Sequence, residues 1–344
     1  MRALIVSRFP PAVCGIGQYA EAQATALESE GHIVERVNID VESTADSWLP
    51  RPGRRLLHLL AKARRADRVF IHYHVDLFQD PRWDHPLARH ALPHLLTALL
   101  AASRRERTTV IVHETSYLRY PGRSWRVQHD SVALLMRAAG EIVFHSEHER
   151  RAFTRDFFAP PRSRILPPNA FYVRRVDVDR REARRALAVP DEELVFLCIG
   201  FFVERKGFLD FALAFQEAVD GGVLPRSARL YVVTSLQPSA SPQVAAAFAK
   251  LEQAAPSLSN ITLITRFVSD SEFDSWLVAA DWAVAPYLEG FTSSITARAS
   301  RYGTPSILSG VGGLAEQAGP LDLVYNDRQA LRAVLAAAGG DAGR

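Results

Sequence analysis

Cysteine is almost missing from this chain: Cys14 and Cys198 are the only two in 344 residues. That excludes a disulfide-built scaffold and suits a reducing cytosol. Long apolar runs are missing as well. The best, residues 95–102, is interrupted by Thr97 and falls well short of the ~18 apolar residues of a membrane span. Met1-Arg2 leads directly into a strand-like run, so no signal peptide is expected and the cytoplasm is the expected compartment. An excess of one charge is also absent. Lys+Arg total 41 against 38 Asp+Glu, a net charge of +3, which is too even to mark a nucleic-acid binder by charge alone. Within the basic residues lysine is scarce, because only Lys62, Lys206 and Lys250 are not arginine. What is present is a globular composition, 48% apolar and 23% charged, and at roughly 150 residues per domain the length implies two domains.

The order of elements is strand, loop, helix, repeated. Strands are expected at residues 3–6, 33–39, 68–73, 108–112, 141–144 and 164–166, with helices at 19–30, 54–65, 87–103, 127–139 and 147–157. The alternation restarts after a charged join at 171–180. A helix at 180–187 leads to strands at 194–199, 229–233, 261–264, 282–285 and 306–308. Helices at 209–219, 243–254, 270–279, 293–302 and 328–338 separate and follow them. Continuous Val/Ile/Phe strands between helices mean parallel sheets covered on both faces. The fold class is therefore α/β, two doubly wound Rossmann-like domains at 1–175 and 176–344, facing across a cleft that is the default ligand site.

Several motifs point elsewhere. Gly15-Ile16-Gly17-Gln18-Tyr19-Ala20 has the dinucleotide spacing, with Asp40 after the next strand. That fingerprint needs its first glycine at the strand end, and here residues 7–14 intervene. His72-Tyr73-His74-Val75-Asp76 has the alternation of a metal cluster, but three or four converging ligands are needed, and satisfied histidines are the simpler reading. The helix at 54–65 carries leucines among arginines, a pattern open to an anionic membrane surface or, more simply, to an amphipathic core helix.

Three loops carry the chemistry, each after an expected strand. In Gly200-Phe201-Phe202-Val203-Glu204-Arg205-Lys206-Gly207 one of three lysines stands beside an arginine at a strand-to-helix turn. An ammonium and a guanidinium there form an anion clamp suited to diphosphate oxygens. In Pro286-Tyr287-Leu288-Glu289-Gly290-Phe291-Thr292-Ser293-Ser294 a helix start offers backbone N–H groups, and Glu289 can accept hydrogen bonds from sugar hydroxyls. Gly312-Gly313-Leu314-Ala315-Glu316 is a tight glycine turn that lets backbone approach a ligand.

Taken together, and with Val112-His113-Glu114-Thr115, His145-Ser146-Glu147, Pro167-Pro168-Asn169-Ala170, Phe267, Ala280-Asp281 and Tyr302-Gly303-Thr304-Pro305, the chain resembles the retaining GT-B-fold glycosyltransferases of family 4 over nearly its whole length. The resemblance implies a nucleotide-diphosphate sugar donor, held mostly by the C-terminal domain. Lys206 and Arg205 would neutralise the leaving diphosphate, and Ser293 and Ser294 would add backbone donors. Glu289 would lie near the donor sugar, with Gly290 and Phe291 beside it. It further implies that Gly15 and Gly17 let a loop close over the phosphates and that His113 meets the sugar near its reacting carbon. Asn169 and Glu316 fall among the substrate-binding residues. No metal and no cofactor is implied. The acceptor would be a saccharide, a small molecule or a lipid-linked sugar, with peripheral membrane contact an option and no nucleic-acid partner.

The chain departs from the family at three places. The second glutamate of Glu-x7-Glu, the usual ribose ligand, falls on Ala297 or Arg298, and no acid lies between Gly290 and Ala315. An arginine there could serve an extra anionic group, and Glu316 could serve the ribose. Phe201 stands where an arginine is usual. The chain ends at Arg344, short of the family's long closing helix. These departures give the alternative reading, a catalytically weakened binding protein on the same fold.

Overall fold

The computed structural model describes residues 1–10, 15–39, 52–78, 91–114, 125–168, 170–237, 240–290 and 292–340. The chain divides into two compact units, Met1–Phe171 and Tyr172–Arg344. Asn169 and Phe291 lie outside the described residues, as do Cys14, Asp40 and Thr115. Among the described residues no helix is long and apolar enough to cross a membrane.

The first unit runs β1 (Arg2–Ser7), α1 (Gly15–Ser29), β2 (Ile33–Asn38), α2 (Pro52–Arg65), β3 (Arg68–Tyr73), α3 (Leu92–Ser103), β4 (Thr108–Val112), α4 (Trp125–Ala138), β5 (Glu141–Phe144), α5 (Glu147–Asp156) and β6 (Ser163–Ile165). Its six strands pair in parallel in the order β2-β1-β3-β4-β5-β6. Alternate residues of β1 feed opposite faces: Leu4 and Val6 enter one core, Ala3 and Ile5 the other. A strand buried on both faces has no polar alternation, which is why it reads as an apolar run. Leu59 and Ala63 of α2 enter the first of these cores, and Lys62 on the same helix pairs with Glu35 at 2.6 Å. The helix thus turns apolar residues inward, as an amphipathic core helix does.

The second unit runs α6 (Arg180–Ala186), β7 (Leu194–Ile199), α7 (Phe208–Asp220), β8 (Ala228–Thr234), α8 (Pro242–Ala254), β9 (Ile261–Thr265), α9 (Asp270–Ala279), β10 (Trp282–Ala285), α10 (Ser294–Tyr302), β11 (Ser306–Ser309), β12 (Leu323–Tyr325) and α11 (Arg328–Gly340). The strands are parallel in the order β12-β11-β10-β7-β8-β9. Every residue of β7 is buried. Leu194, Phe196 and Cys198 pack on α7, α8 and α11, and Val195, Leu197 and Ile199 pack on α9 and α10. Burying one such side chain contributes about 1.5–3 kcal/mol, so this strand anchors the loop that follows it. α6 is docked by a buried ion pair, Arg184 to Asp281 at 2.7 Å, and the same carboxylate accepts the Val195 N–H.

The alternation of strands and helices is found as expected, apart from β12. That strand has three half-buried residues at the sheet edge, too few for a periodicity. It is held from outside itself, where Asp322 accepts the Ser306 N–H at 2.6 Å.

Candidate active site

In the second sheet the chain steps outward from β7 to β8 and β9, then crosses to β10 on the other side of β7. Between β7 and β10 the order reverses, which makes this the switch point of the sheet. In open α/β sheets ligands bind at this switch point, beyond the carboxyl ends of the strands. The loops found there are the two that carry Lys206 and Glu289.

The loop after β7 is tight because two glycines make it so. Gly200 has φ +118°, and a Cβ on it would lie 3.3 Å from Lys206 Nζ. A one-turn 3-10 helix at Glu204–Lys206 ends on Gly207 in the left-handed region, φ +65°. A Cβ on Gly207 would lie 2.3 Å from the Pro286 carbonyl. The two loops therefore touch, and the Arg205 carbonyl accepts from Leu288 N at 2.7 Å and Glu289 N at 3.4 Å. Gly207→Ala should lower stability by about 1–3 kcal/mol from the backbone conformation alone, more if the β10 loop is pushed away. Urea unfolding monitored by circular dichroism checks this, and an unchanged midpoint contradicts it.

Lys206 points back into the turn. Its Nζ donates to the Phe201 carbonyl at 2.8 Å and sits 5.8 Å and 6.0 Å from the rings of Phe208 and Tyr287. Burial first, then the Arg205 charge, pushes its pKa down to about 8. It is a cation held at some cost, with few local partners to neutralise it, which is the state an arriving diphosphate would relieve. Glu289 is exposed on the facing loop, and Phe201 stacks on the exposed Phe267 at 5.9 Å.

The β10 loop is also clamped from the β11 side. Ser309 Oγ donates to the Tyr287 carbonyl at 2.6 Å. Gln317 holds Ser293 at both ends, accepting its N–H at 2.6 Å and donating to its carbonyl at 3.2 Å. The Ser293 N–H expected for a ligand is thus spent on Gln317, and Ser293 itself is fully buried. Ser294 opens α10 on the exposed side. Glu316, next to Gln317, is exposed. Gly290 packs closely, since a Cβ there would meet Tyr287 Cδ2 at 3.2 Å. Gln317 escaped sequence reasoning because an amide in a short turn has no motif.

Arg298 requires a correction. It is not available to an anionic ligand. Its guanidinium is buried and bonds the carboxylates of Asp274 and Asp270 and the Asp270 carbonyl, over the Phe273 ring at 4.1 Å. It ties α10 to α9. Ala297 is buried too.

In the first unit Gly15 and Gly17 lie in the first turn of α1. A Cβ on Gly15 would meet nothing within 4 Å. The first glycine is eight residues past the end of β1, so the dinucleotide turn is not formed. His113, just past β4, is half-buried and lies between two other histidines. Its Nε2 is 2.9 Å from His72 Nδ1 and its Nδ1 is 3.2 Å from His145 Nε2. His72 in turn reaches Gln23 on α1 at 2.8 Å. The metal reading of His72 is corrected by this, since both its ring nitrogens are taken. His74 faces Glu114 at 3.5 Å instead. Among the described residues no group of three or more His, Cys, Asp or Glu is placed to hold a metal. Beside the histidines, Ser146 caps α5 by accepting from Glu149 N. The buried Glu149 carboxyl accepts the His145 N–H at 2.8 Å, and burial pushes its pKa up to about 8, with the Glu114 charge adding to the effect.

This architecture, two six-stranded parallel Rossmann-like units, is the GT-B fold. Sucrose-phosphate synthase from Thermosynechococcus elongatus is similar with a TM-score of 0.69 at 15% identity, over 99% of this chain and 90% of that one. Anabaena HepE in complex with UDP is similar at 0.66 and 14%, over 100% and 91%. The UDP-forming trehalose-phosphate synthase from Burkholderia vietnamiensis is similar at 0.62 and 13%, over 98% and 91%. No protein-family model matches the chain, and no curated protein matches it.

Proposed function

We propose that the chain transfers a sugar from a nucleotide-diphosphate donor to an acceptor hydroxyl, with retention of configuration and without a metal ion, as a family 4-like glycosyltransferase. The observation that carries this is Lys206, a desolvated ammonium at the β7/β10 switch point with Arg205 beside it. The UDP and UDP-glucose complexes of Anabaena HepE, on the same fold, support the donor class.

In the reaction the bond between the anomeric carbon and the diphosphate oxygen breaks, its electron pair leaving with the diphosphate. The acceptor oxygen forms the new bond on the same face, and its proton passes to a diphosphate oxygen. Lys206 and Arg205 offset the charge that develops on the leaving group, a contribution strongest in the transition state. Two positive side chains supply there what a divalent cation supplies elsewhere. Glu289 accepts hydrogen bonds from the donor sugar. The acceptor is a saccharide, small-molecule or lipid-linked hydroxyl.

Incubation with a panel of donors and acceptors should release nucleoside diphosphate. Affinity for UDP should be pH-dependent with a definite sign. Lys206 is charged below about 8, so binding is full at pH 7 and weakens as pH rises through that value, while bound diphosphate holds the proton on. Calorimetric titration at pH 7 and pH 9 measures it, and equal affinities would remove Lys206 from the diphosphate site. A second reading, donor binding without turnover, is favoured by one observation: of the two positions open to the family's ribose glutamate, Ala297 is buried and Arg298 is given over to a structural ion pair. Ligand-induced thermal stabilisation with no product release selects that reading, and robust turnover excludes it.

A further inference from the structure

Four contacts run in one line through the carboxyl end of the first sheet. His145 Nδ1 lies 2.8 Å from the Leu166 carbonyl. His145 Nε2 lies 3.2 Å from His113 Nδ1. His113 Nε2 lies 2.9 Å from His72 Nδ1, and His72 Nε2 lies 2.8 Å from the side-chain oxygen Oε1 of Gln23. The histidines come from the ends of three neighbouring strands, β3, β4 and β5. Tyr19 of α1 packs edge-on against all three rings, at 5.6, 5.0 and 5.2 Å.

Counting hydrogens fixes the arrangement. A backbone carbonyl only accepts, so His145 carries its proton on Nδ1. A neutral His145 then has a bare Nε2, which needs a proton from His113 Nδ1. His113 Nε2 is bare in turn and needs one from His72 Nδ1. His72 Nε2 is left bare and needs a donor from Gln23. The two ends of a glutamine amide are isosteric, and a half-turn exchanges oxygen for NH2. With the oxygen toward His72, four contacts would require four ring protons, and three neutral imidazoles hold three. The fourth would make a buried cation. Among the described residues the ionisable groups near the chain include His74 and Glu114, which face each other, and the Glu149 carboxyl, which is turned to the His145 backbone.

We infer that Gln23, with its NH2 toward His72, is a positioning residue that closes a one-directional chain and locks His72, His113 and His145 as neutral Nδ1–H tautomers. Desolvation agrees: burial pushes His72 down to about 3 and His145 to about 4, and His113 well below its usual value. The consequence, which rests on the proposed transferase reading, is that His113 offers a substrate neither a lone pair nor an N–H.

Long-range proton–nitrogen correlation spectra of the nitrogen-15-labelled, unliganded protein at pH 7 test the tautomers directly. Three rings with protonated Nδ1 and bare Nε2 are expected. An Nε2–H tautomer at His113, or an imidazolium in the chain, overturns the inference. The spectrum is read without donor or acceptor, so it stands or falls separately from the transferase reading. Gln23→Glu adds a second measurement. An ionised carboxylate cannot donate to His72, so this side chain must hold a proton in the folded state and its folded pKa rises above its unfolded value. The stabilising proton is present at low pH and lost as pH rises. Tm should be near wild type at about pH 5 and several degrees lower at about pH 8, and a variant matching wild type at both values overturns the inference.

Discussion

Lys206→Ala is expected to lower the rate of sugar transfer by about 10²–10³-fold, the effect of removing one preorganised donor to developing negative charge, about 2.7–4 kcal/mol. The loss should fall mainly on kcat, because the ammonium gains most as the diphosphate departs. Lys206→Arg should rescue poorly. A Cβ at Gly200 would lie only 3.3 Å from Nζ, and Nζ already donates to the Phe201 carbonyl, so there is little room for a planar guanidinium. The measurement is nucleoside diphosphate release at saturating donor, with the UDP dissociation constant determined separately. A Lys206→Ala enzyme turning over at the wild-type rate would sink the assignment.

Arg298→Glu, which places an acid at one of the two positions where the family 4 pattern has its second glutamate, is expected to unfold the second unit rather than improve nucleotide binding. Arg298 is buried against Asp274, itself almost wholly buried, with Asp270 alongside. Removing the cation, as in Arg298→Ala, leaves a carboxylate buried without its partner and costs about 3–5 kcal/mol. Glutamate adds a further carboxylate to the two already there, so its cost is larger still. Urea unfolding of Arg298→Ala, and the yield of folded Arg298→Glu, check this. A stable Arg298→Glu protein with tighter UDP binding would mean that Arg298 faces the ligand.

The sequence revealed most where a single strand or loop decides the outcome. β7 reads as LVFLCI and can only be a strand covered on both faces. Gly200 and Gly207 bracket Lys206 at a spacing that fits a strand-to-helix turn, and scarcity of lysine drew attention to it. What stayed hidden is what depends on two distant segments meeting. Arg298 looked available because nothing in its own helix shows that Asp270 and Asp274 come beneath it. Gln317 and Gln23 each act through one amide on a partner 24 or 49 residues away, and such pairs leave no local pattern. The histidine chain was half legible: each ring stands at or just past a strand end, and the three strands are neighbours, but only the sheet order makes them so.

The β10 loop is bonded to both of its neighbours, through the Arg205 carbonyl to the β7 loop and through Ser309 and Gln317 to the β11 segment. For protein engineering this makes the three segments a single exchangeable cassette. A chimera that imports one loop from a glycosyltransferase of this fold would arrive with a mismatched hydrogen-bond socket on each side, so donor preference should transplant only when residues 200–207, 286–293 and 309–317 travel together.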